Sequence, residues 1–441
     1  MKKIAILLFF TVGFFVHVWA CTGLIAGKQA TVDGSVLVTY SADSHTLYGA
    51  LTSSPAADWP KGSMRSIVEW DTNKPLGEIE QVEHTYAVMG NMNEHQLTVV
   101  ESTWGGRPEL VDTTGIIDYG SLMQLALERA KTAREAIKVM TGLVKKYGYY
   151  SSGESFTIAD PNEAWILDLI GKGPGRRGAV WVAVRIPDDC IAGHANYPRI
   201  HKIPMDDKEN CLYSPDVISF AREMGYFDGL NKDFSFARAY SPADFGALRA
   251  CDARVWSFFR KYDSSMDNYL PYVNGESAEP FPLYVKPSRK LSVQDMKEAM
   301  RDHFEDTPFD MTQDVGAGPF KVPYRFRPMS FEVDGKSYCM ERAIATQQTG
   351  FTLVGQMRNW LPDPVGGVLW FGVDDANTCV YIPMYCGITQ VPECFSPENG
   401  SMYDFSWTSA FWIHNWVANM AYARYEPMIG DIRKVQSAVE T

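Results

Sequence analysis

The sequence has little of what a membrane protein or a nucleic-acid-binding protein needs. After residue 20 no stretch is continuously apolar for the roughly 20 residues of a membrane-spanning helix. Basic residues are outnumbered, with 41 Lys and Arg against 53 Asp and Glu, and the formal charge is −12. Nucleic acids and anionic membranes are bound by clustered basic side chains. We therefore expect no nucleic-acid partner and no stable membrane span.

Motifs for metal ions and phosphate groups are also missing. The histidines form no HExxH pattern and the cysteines show no paired spacing of the kind that binds zinc. The glycine-rich stretch at residues 171–178 lacks the Lys-Ser/Thr ending of a phosphate-binding loop and leads into a strand-like segment, which favours a hairpin loop. The sequence predicts no metal site and no cofactor.

The composition is that of a globular protein: 46% of the 441 residues are hydrophobic and 21% are charged. A disordered chain has fewer apolar residues and a larger unbalanced charge. Eight cysteines in 441 residues are far too few for a fold held together by disulfides.

The first twenty residues have the pattern of a secretory signal peptide. Lys2 and Lys3 form a positive n-region, residues 4–16 are an apolar run, and Val18-Trp19-Ala20 is a small-x-small type of cleavage site. The short run looks bacterial, and the sequence therefore predicts an exported protein, periplasmic or extracellular. Cleavage after Ala20 would make Cys21 the first residue of the mature chain.

Three interpretations of Cys21 are open at this point. It is the lipidated residue of a surface lipoprotein, an N-terminal nucleophile, or a buried or disulfide-bonded cysteine that happens to follow the cleavage site. Trp19 argues against lipidation, since the residue two before a lipidated cysteine is usually small. Asp33-Gly34 between two apolar runs predicts a β-hairpin with a tight turn, so Cys21 would begin a strand, with no flexible tether to a membrane.

The chemistry of an N-terminal cysteine favours the nucleophile. A thiol nucleophile needs a base that is partly neutral near pH 7. An α-amino group, with a reference pKa of about 7.7–8.0, meets that condition better than a lysine. Cleavage would create the base, because the nitrogen of an uncleaved peptide bond accepts no proton.

Five stretches, in order along the chain, resemble the cysteine Ntn-hydrolases, specifically the dipeptidase A–secernin family, with choloylglycine hydrolases and penicillin V acylases as distant relatives. They span most of residues 21 to about 400 and begin at Cys21-Thr-Gly-Leu-Ile-Ala-Gly, Asn91-Met-Asn-Glu-His, Gly153-Glu-Ser-Phe-Thr, His194-Ala-Asn-Tyr-Pro and Val368-Leu-Trp-Phe-Gly. Each stretch alone is unspecific, and the ordered set carries the resemblance.

The resemblance implies roles for four residues. Cys21 would be the nucleophile and its α-amine the general base. Asp43 would orient the amine and the thiol, although it could also be a turn or cap residue. Asn196 would support the oxyanion, or form a turn before Tyr197, and Arg254 would favour the thiolate, or be a solvated helix arginine.

Two positions depart from the pattern of the distant relatives. Thr103 stands where choloylglycine hydrolases have a second oxyanion asparagine, and Tyr40 stands where they have an arginine near the nucleophile. These differences put the bile-acid and penicillin activities in doubt more than amide hydrolysis itself.

The implied fold is α+β, the four-layer αββα sandwich of Ntn-hydrolases with antiparallel sheets. Residues 21–441 would form one catalytic domain, with a helical excursion at about 200–330 and a helical segment from about 405. Apolar spacing predicts helices over residues 119–146, with a capping box at Thr132, and helix starts at Ser214, Ser241 and Ser292.

The expected function is an exported cysteine dipeptidase acting on dipeptides. The alternatives are an amidase or acylase for a non-peptide amide and a non-catalytic lipoprotein lipidated at Cys21. Aromatic residues near the end of the chain leave a homo-oligomer open. Among the cysteines, Cys21 is expected to stay free, and Cys386 and Cys394 are the best candidates for a disulfide.

Overall fold

The computed structural model describes residues 21–325 and 330–440. The signal peptide expected at residues 1–20 lies outside the described residues. The strands are β1 Gly23–Ala26, β2 Val36–Asp43, β3 Ser53–Ser54, β4 Ala57–Asp58, β5 Met64–Val68, β6 Pro75–Glu80, β7 His84–Thr85, β8 Val88–Met89, β9 Met92–Asn93, β10 Thr98–Trp104, β11 Gly153–Ala159, β12 Ala164–Gly171, β13 Ala179–Ile186, β14 Ile191–His194, β15 Cys211–Tyr213, β16 Tyr284–Val285, β17 Ser330–Val333, β18 Lys336–Cys339, β19 Thr349–Met357, β20 Val368–Val373 and β21 Ile382–Tyr385.

The α-helices are of very different lengths, and the longest are at the end of the chain and between β10 and β11. They are α1 Tyr119–Arg129, α2 Ala133–Tyr147, α3 Val217–Glu223, α4 Phe236–Tyr240, α5 Ala253–Arg260, α6 Leu270–Val273, α7 Val293–Ala299, α8 Asp363–Gly366, α9 Ala410–Ala423 and α10 Tyr425–Glu440. A π-helical stretch, Ala247–Asp252, leads directly into α5.

Two large antiparallel sheets dominate the described residues. The first has seven strands in the order β16-β14-β1-β2-β19-β20-β21, and the second has eight in the order β15-β13-β12-β11-β10-β9-β8-β3. The predicted α+β class with antiparallel sheets is confirmed. The loop at residues 172–178 joins β12 to β13, which pair from Gly171 opposite Ala179, so the predicted hairpin loop is confirmed as well.

Alternating side chains along the strands place the core on both faces of each sheet. Val36, Val38 and Tyr40 of β2 share one apolar cluster with Ile166 and Val182 of the second sheet, so this cluster lies between the sheets. A second cluster joins the other face of the first sheet to α5 and α7. A third joins the other face of the second sheet to α1 and α2. The layers therefore follow the order helix, sheet, sheet, helix.

The strands flanking Asp33-Gly34 pair as predicted, with Ile25 opposite Val38. The connection is longer than a tight turn and takes up residues 27–35. Its first half follows β14 instead of β2, since the Gly27 amide donates to the carbonyl of Cys190, just before β14. Gly34 has a φ of 85°, a conformation that favours glycine. Cys21 itself precedes β1 and is not part of it.

The predicted helix starts had different outcomes. Thr132 caps α2 by accepting from the Glu135 amide, and Ser292 forms a complete capping box with Asp295 at α7. The helix starts predicted at Ser214 and Ser241 are wrong. Helix α3 begins only at Val217, and Ser241 is the C-cap residue of α4. Both wrong positions are Ser-Pro pairs, which stop a helix as readily as they start one.

Within the described part of the chain no helix is both long enough and apolar enough to cross a lipid bilayer.

The predicted disulfide between Cys386 and Cys394 is wrong, since all eight cysteines are free. The Cys386 thiol is buried at the end of β21 and donates to the carbonyl of Asp363 at 2.9 Å. Cys394 is exposed in a short 3₁₀ helix. Because one thiol is turned into the core and the other toward solvent, closeness in sequence does not bring them together. Cys21 is free, as expected.

A thiol-labelling experiment tests this correction. In the native protein we expect a maleimide reagent to modify Cys394 quickly and Cys386 only after denaturation, because Cys386 is buried. A Cys394→Ser variant should lose the rapid phase. Recovery of a linked peptide containing both cysteines from a non-reducing digest would contradict the assignment.

Candidate active site

Cys21 lies in the interior at the point where the first sheet meets β10 of the second. Its exposed fraction is 4%, and Thr22 bridges to Ser41 of β2, so the backbone of the residue is fixed from both sides. The nearest side-chain partner of its Sγ is the Tyr40 hydroxyl at 3.7 Å. The predicted nucleophile is therefore held by the sheet rather than exposed on a loop.

Arg254 of α5 ties Cys21 to Asn196. Its Nη1 donates to the Cys21 carbonyl at 2.9 Å and to Thr22 Oγ1 at 2.8 Å. Its Nη2 donates to Asn196 Oδ1 at 2.8 Å and to the Ala195 carbonyl at 3.1 Å. The side chain is fully buried, and all its donors are used, since Nε donates to the Ala250 carbonyl. It contacts the backbone of Cys21 rather than its sulfur.

Asn196 sits on the loop after β14 in a left-handed conformation with a φ of 57°. That conformation is uncommon outside glycine, although asparagine adopts it more readily than most residues. Its side-chain Nδ2 donates to the Thr103 carbonyl at 2.6 Å, and its backbone N–H donates to Ser102 Oγ at 3.2 Å. Thr103 accepts this bond because β9 pairs with β10 only at Thr98, which leaves the end of β10 unpaired on that side.

Asp43, the last residue of β2, is buried beside Cys21 with an exposed fraction of 2%. Its Oδ1 accepts from Thr349 Oγ1 at 2.7 Å and its Oδ2 from Ser41 Oγ at 3.3 Å. Burial raises the pKa of Asp43 to about 7, against the opposing effect of the Arg342 charge. The structure thus brings Cys21, Asp43, Asn196 and Arg254 together, as the resemblance implies.

The thiol of Cys21 is in an environment that opposes ionisation. Burial raises its pKa well above the usual value, and the negative charges of Glu101 and Asp43 raise it further. Hydrogen bonds from the Asp43 amide and the Tyr40 hydroxyl lower it by less. As long as its nitrogen is in a peptide bond, Cys21 is therefore a protonated thiol and a weak nucleophile.

A chain of polar groups beside the thiol was not assigned from the sequence. The Tyr40 hydroxyl donates to Glu101 Oε1 at 2.5 Å, and Thr103 Oγ1 donates to Glu154 Oε1 at 2.7 Å. Thr103 and Glu154 face each other across β10 and β11. The available signal was a glutamate inside each of two strands that have no other charged residue, since a carboxylate is rarely buried without a specific role.

His194 was also missed as a site residue. Its Nδ1 is 2.6 Å from Ser102 Oγ and its Nε2 is 2.8 Å from Thr157 Oγ1, so it links β14 of the first sheet to β10 and β11 of the second. Burial, together with the charges of Arg254 and Arg199, lowers the pKa of His194 to about 3. The neutral ring therefore supports the site and is not its base. Gly23 lies against the ring, where an added Cβ would be 2.9 Å from it.

Two cavities open on either side of these groups. The first, of about 210 Å³, lies between β2, β10 and α1 and is lined by Cys21, Asp43 and Glu101. The second, of about 800 Å³, is lined by Asn196 and Arg342. Thr103 lines both, so the cavity that contains the thiol and the cavity that contains Asn196 adjoin at this residue.

Among the described residues no group of three or more His, Cys, Asp or Glu side chains has the geometry to hold a metal ion. The arrangement offers a sulfur nucleophile, hydrogen-bond donors and buried charges, which are the elements of acyl transfer.

The sequence matches known proteins over nearly its whole length. The family model described as Peptidase family C69 matches residues 20–438. A probable dipeptidase of Salmonella dublin is 27% identical over 396 residues, which is 84% of this chain and 81% of that protein. A probable dipeptidase of Latilactobacillus sakei and dipeptidase A of Lactobacillus helveticus are each 24% identical, covering 92% of this chain and 82% of each of those proteins.

The low pKa of His194 predicts a loss of stability in acid. Its pKa is about 6.5 in the unfolded chain and about 3 in the fold, so below pH 6.5 the unfolded state takes up a proton that the folded state refuses. The free energy of unfolding should therefore fall by up to about 1.4 kcal/mol per pH unit from this group as the pH drops from 6.5 toward 3.

Urea unfolding at pH 6.5 and pH 5, followed by tryptophan fluorescence, measures this effect. A His194→Gln variant should be less stable at pH 6.5 but should lose about 1.5 kcal/mol less than the wild type on going to pH 5. His84→Gln, which removes a histidine with a side chain 51% exposed, is the control and should keep the wild-type difference. Equal losses in the wild type and His194→Gln would show that His194 does not resist protonation.

Proposed function

The chain belongs to peptidase family C69, and on that premise we propose that it is a dipeptidase whose nucleophile is the thiol of Cys21. Membership confirms the resemblance that the sequence predicts. The names of the relatives in Salmonella, Latilactobacillus and Lactobacillus support dipeptides as substrates.

One observation carries the proposal for the mechanism. Cys21 and Asn196 are held by the same guanidinium, that of Arg254, and they face the two cavities that meet at Thr103. A peptide bond bound where the two cavities adjoin would have its carbonyl carbon at Sγ. Its oxygen would then point toward the hydrogen-bond donors of Asn196 and the backbone. Such fixed geometry is what a thiol needs in order to attack an amide.

The reaction proceeds by acyl transfer. The α-amine of mature Cys21 takes the thiol proton, and Sγ attacks the scissile carbonyl carbon. The Asn196 amide and backbone N–H groups stabilise the oxyanion of the tetrahedral intermediate. The protonated amine then gives its proton to the leaving nitrogen, the C–N bond breaks, and a thioester remains. A water molecule activated by the same amine hydrolyses the thioester and restores the free thiol.

Cleavage after Ala20 is the activating step in this proposal, and it would accompany export. In the uncleaved chain the burial of Cys21 and its acidic neighbours keep the thiol protonated. Covalent geometry puts a newly formed α-amine next to the sulfur of the same residue. Asp43, buried beside Cys21, is placed to hold that amine.

The burial of Cys21 favours catalysis over a lipid anchor. A lipidated cysteine carries a diacylglycerol on its sulfur, whereas Sγ here is enclosed by Tyr40, Asp43 and Glu101. The small acidic cavity at Sγ also suits the amino end of a peptide better than a large apolar acyl group. This supports a dipeptide over a bile-acid or penicillin-type amide.

Removal of the thiol tests the nucleophile. We expect Cys21→Ala to lower kcat on dipeptides by at least about 10³-fold, because no other group can form the thioester. Cys211→Ala, which removes a buried cysteine of β15 away from both cavities, is the matched control and should retain activity. A panel of dipeptides, tripeptides and acyl amides decides the substrate class, and full activity of Cys21→Ala would reject the mechanism.

Blocking the α-amine tests the base. A variant that keeps one residue in front of Cys21, verified by intact mass, should fold normally and be inactive, since an amide nitrogen cannot accept the thiol proton. Removal of the extra residue should restore turnover. Equal turnover by the blocked and processed chains would mean that another group is the base. A diacylglycerol adduct on Cys21 would reject the enzyme in favour of a lipoprotein.

A further inference from the structure

The charged residues that line the smaller cavity are all acidic. Asp43, Asp71 and Glu101 line it, and none of the described residues that line it is a lysine, an arginine or a histidine. Glu101 is buried near the thiol, with an exposed fraction of 2%, the same as that of Asp43. Its Oε2 has no hydrogen-bond donor among the described residues. A buried, unsatisfied carboxylate oxygen is costly unless something binds it.

Glu101 shares its burial with Glu154. The two carboxyl groups lie side by side, and Glu154 Oε2 also lacks a donor among the described residues. Burial raises the pKa of Glu154 well above its usual value, and the charge of Glu101 raises it further. The raised pKa of Glu154 favours its protonated form, so that the negative charge of the pair lies on Glu101, whose other oxygen accepts from Tyr40.

The larger cavity has a positive charge near Cys21, where the smaller cavity has negative charges. Arg342 lines it, with an exposed fraction of 8%, and its Nη2 has no hydrogen-bond acceptor among the described residues. Burial, together with the nearby charge of Arg254, lowers the pKa of Arg342 to about 9. An anion bound to Nη2 would accept its unused hydrogen bond and would stabilise the buried positive charge.

A dipeptide carries charges that match this pair of cavities. Its α-ammonium is on the carbon next to the scissile carbonyl, and its α-carboxylate is on the carbon next to the scissile nitrogen. The two charges therefore lie on opposite sides of the bond, each only a few Å from it. Glu101 and Arg342 line different cavities that adjoin at Thr103, and each is close enough to Cys21 for their charges to interact.

We propose that Glu101 binds the α-ammonium of the substrate and that Arg342 binds its α-carboxylate, so that the two cavities select free dipeptides by both ends. This rests on the proposed dipeptidase function and names the groups that set its substrate length. The first residue of the substrate lies in the smaller cavity, where Leu47, Met123 and Phe351 can hold an apolar side chain. The leaving residue lies in the larger cavity.

The competing occupant of the acidic cavity is the α-ammonium of Cys21 itself. Asp43 is better placed to bind the Cys21 ammonium. Its backbone amide already donates to Sγ, and Asp43 is the last residue of β2, the strand that pairs with Thr22. Glu101 approaches the thiol from the other sheet, both directly and beside the Tyr40 hydroxyl that donates to it. The two carboxylates can therefore serve two different amines.

Three substrates separate these roles: alanyl-leucine, propionyl-leucine, which lacks the α-amine, and alanyl-leucinamide, which lacks the carboxylate. We expect the wild type to prefer alanyl-leucine to either analogue by about 100-fold or more in kcat/KM. Glu101→Gln should reduce the preference over propionyl-leucine to about 10-fold or less, mainly through KM, and leave the preference over alanyl-leucinamide intact. Arg342→Gln should reduce the preference over alanyl-leucinamide to about 10-fold or less and leave the preference over propionyl-leucine intact.

Glu128→Gln and Arg129→Gln are the matched controls. They remove a buried carboxylate and a half-buried guanidinium of α1 that line neither cavity, and they should keep both preferences. If Glu101→Gln lowers turnover of all three substrates by one common factor, Glu101 serves Cys21 and the assignment is overturned. A wild type that hydrolyses alanyl-leucine without either preference overturns this inference alone, whereas no turnover of alanyl-leucine overturns the proposed function with it.

Discussion

The buried guanidinium of Arg254 is the contact on which the geometry of the site depends. It forms no salt bridge with a described residue and donates instead to oxygens of Cys21, Thr22, Ala195, Asn196 and Ala250. A buried charge without a counter-ion is stable only when every donor is used. The requirement fixes the start of β1, the loop after β14 and the helix α5 relative to one another, which sets the distance from the nucleophile to Asn196.

The site concentrates negative charge around a thiol that must become negative itself. Asp43 and Glu101 both oppose ionisation of Cys21, and a cysteine in this setting gains from a local cation or base. An α-amine supplies either one, and a substrate ammonium bound at Glu101 would offset the charge on that side. Proteolytic processing and substrate binding would thus act on the same electrostatic barrier. This links the order of events, cleavage first and catalysis second, to the burial of the residue.

The second sheet contributes as much to the site as the first, and the sequence showed only part of that. The ordered motifs pointed to Cys21, Asp43, Asn196 and Arg254, and the structure brings these four residues together. Glu101 and Glu154 lay inside quoted motifs without a role, because a glutamate in a strand can as easily face solvent. Arg342 had no sequence pattern around it at all. The Cys386–Cys394 pairing failed because spacing says nothing about the direction in which a thiol points.

The sequence by itself determined the features that depend on local chemistry: the apolar alternation of the strands, the cap at Thr132, the family, and a cysteine directly after a cleavage pattern. The tertiary structure alone decided which charges surround that cysteine. Tyr40, Glu101, Glu154 and Arg342 come from segments far apart in the chain, and their pKa values and unsatisfied atoms arise only when packing excludes water between them. The division of the site into an acidic cavity and a larger one containing Arg342 is therefore a property of the fold.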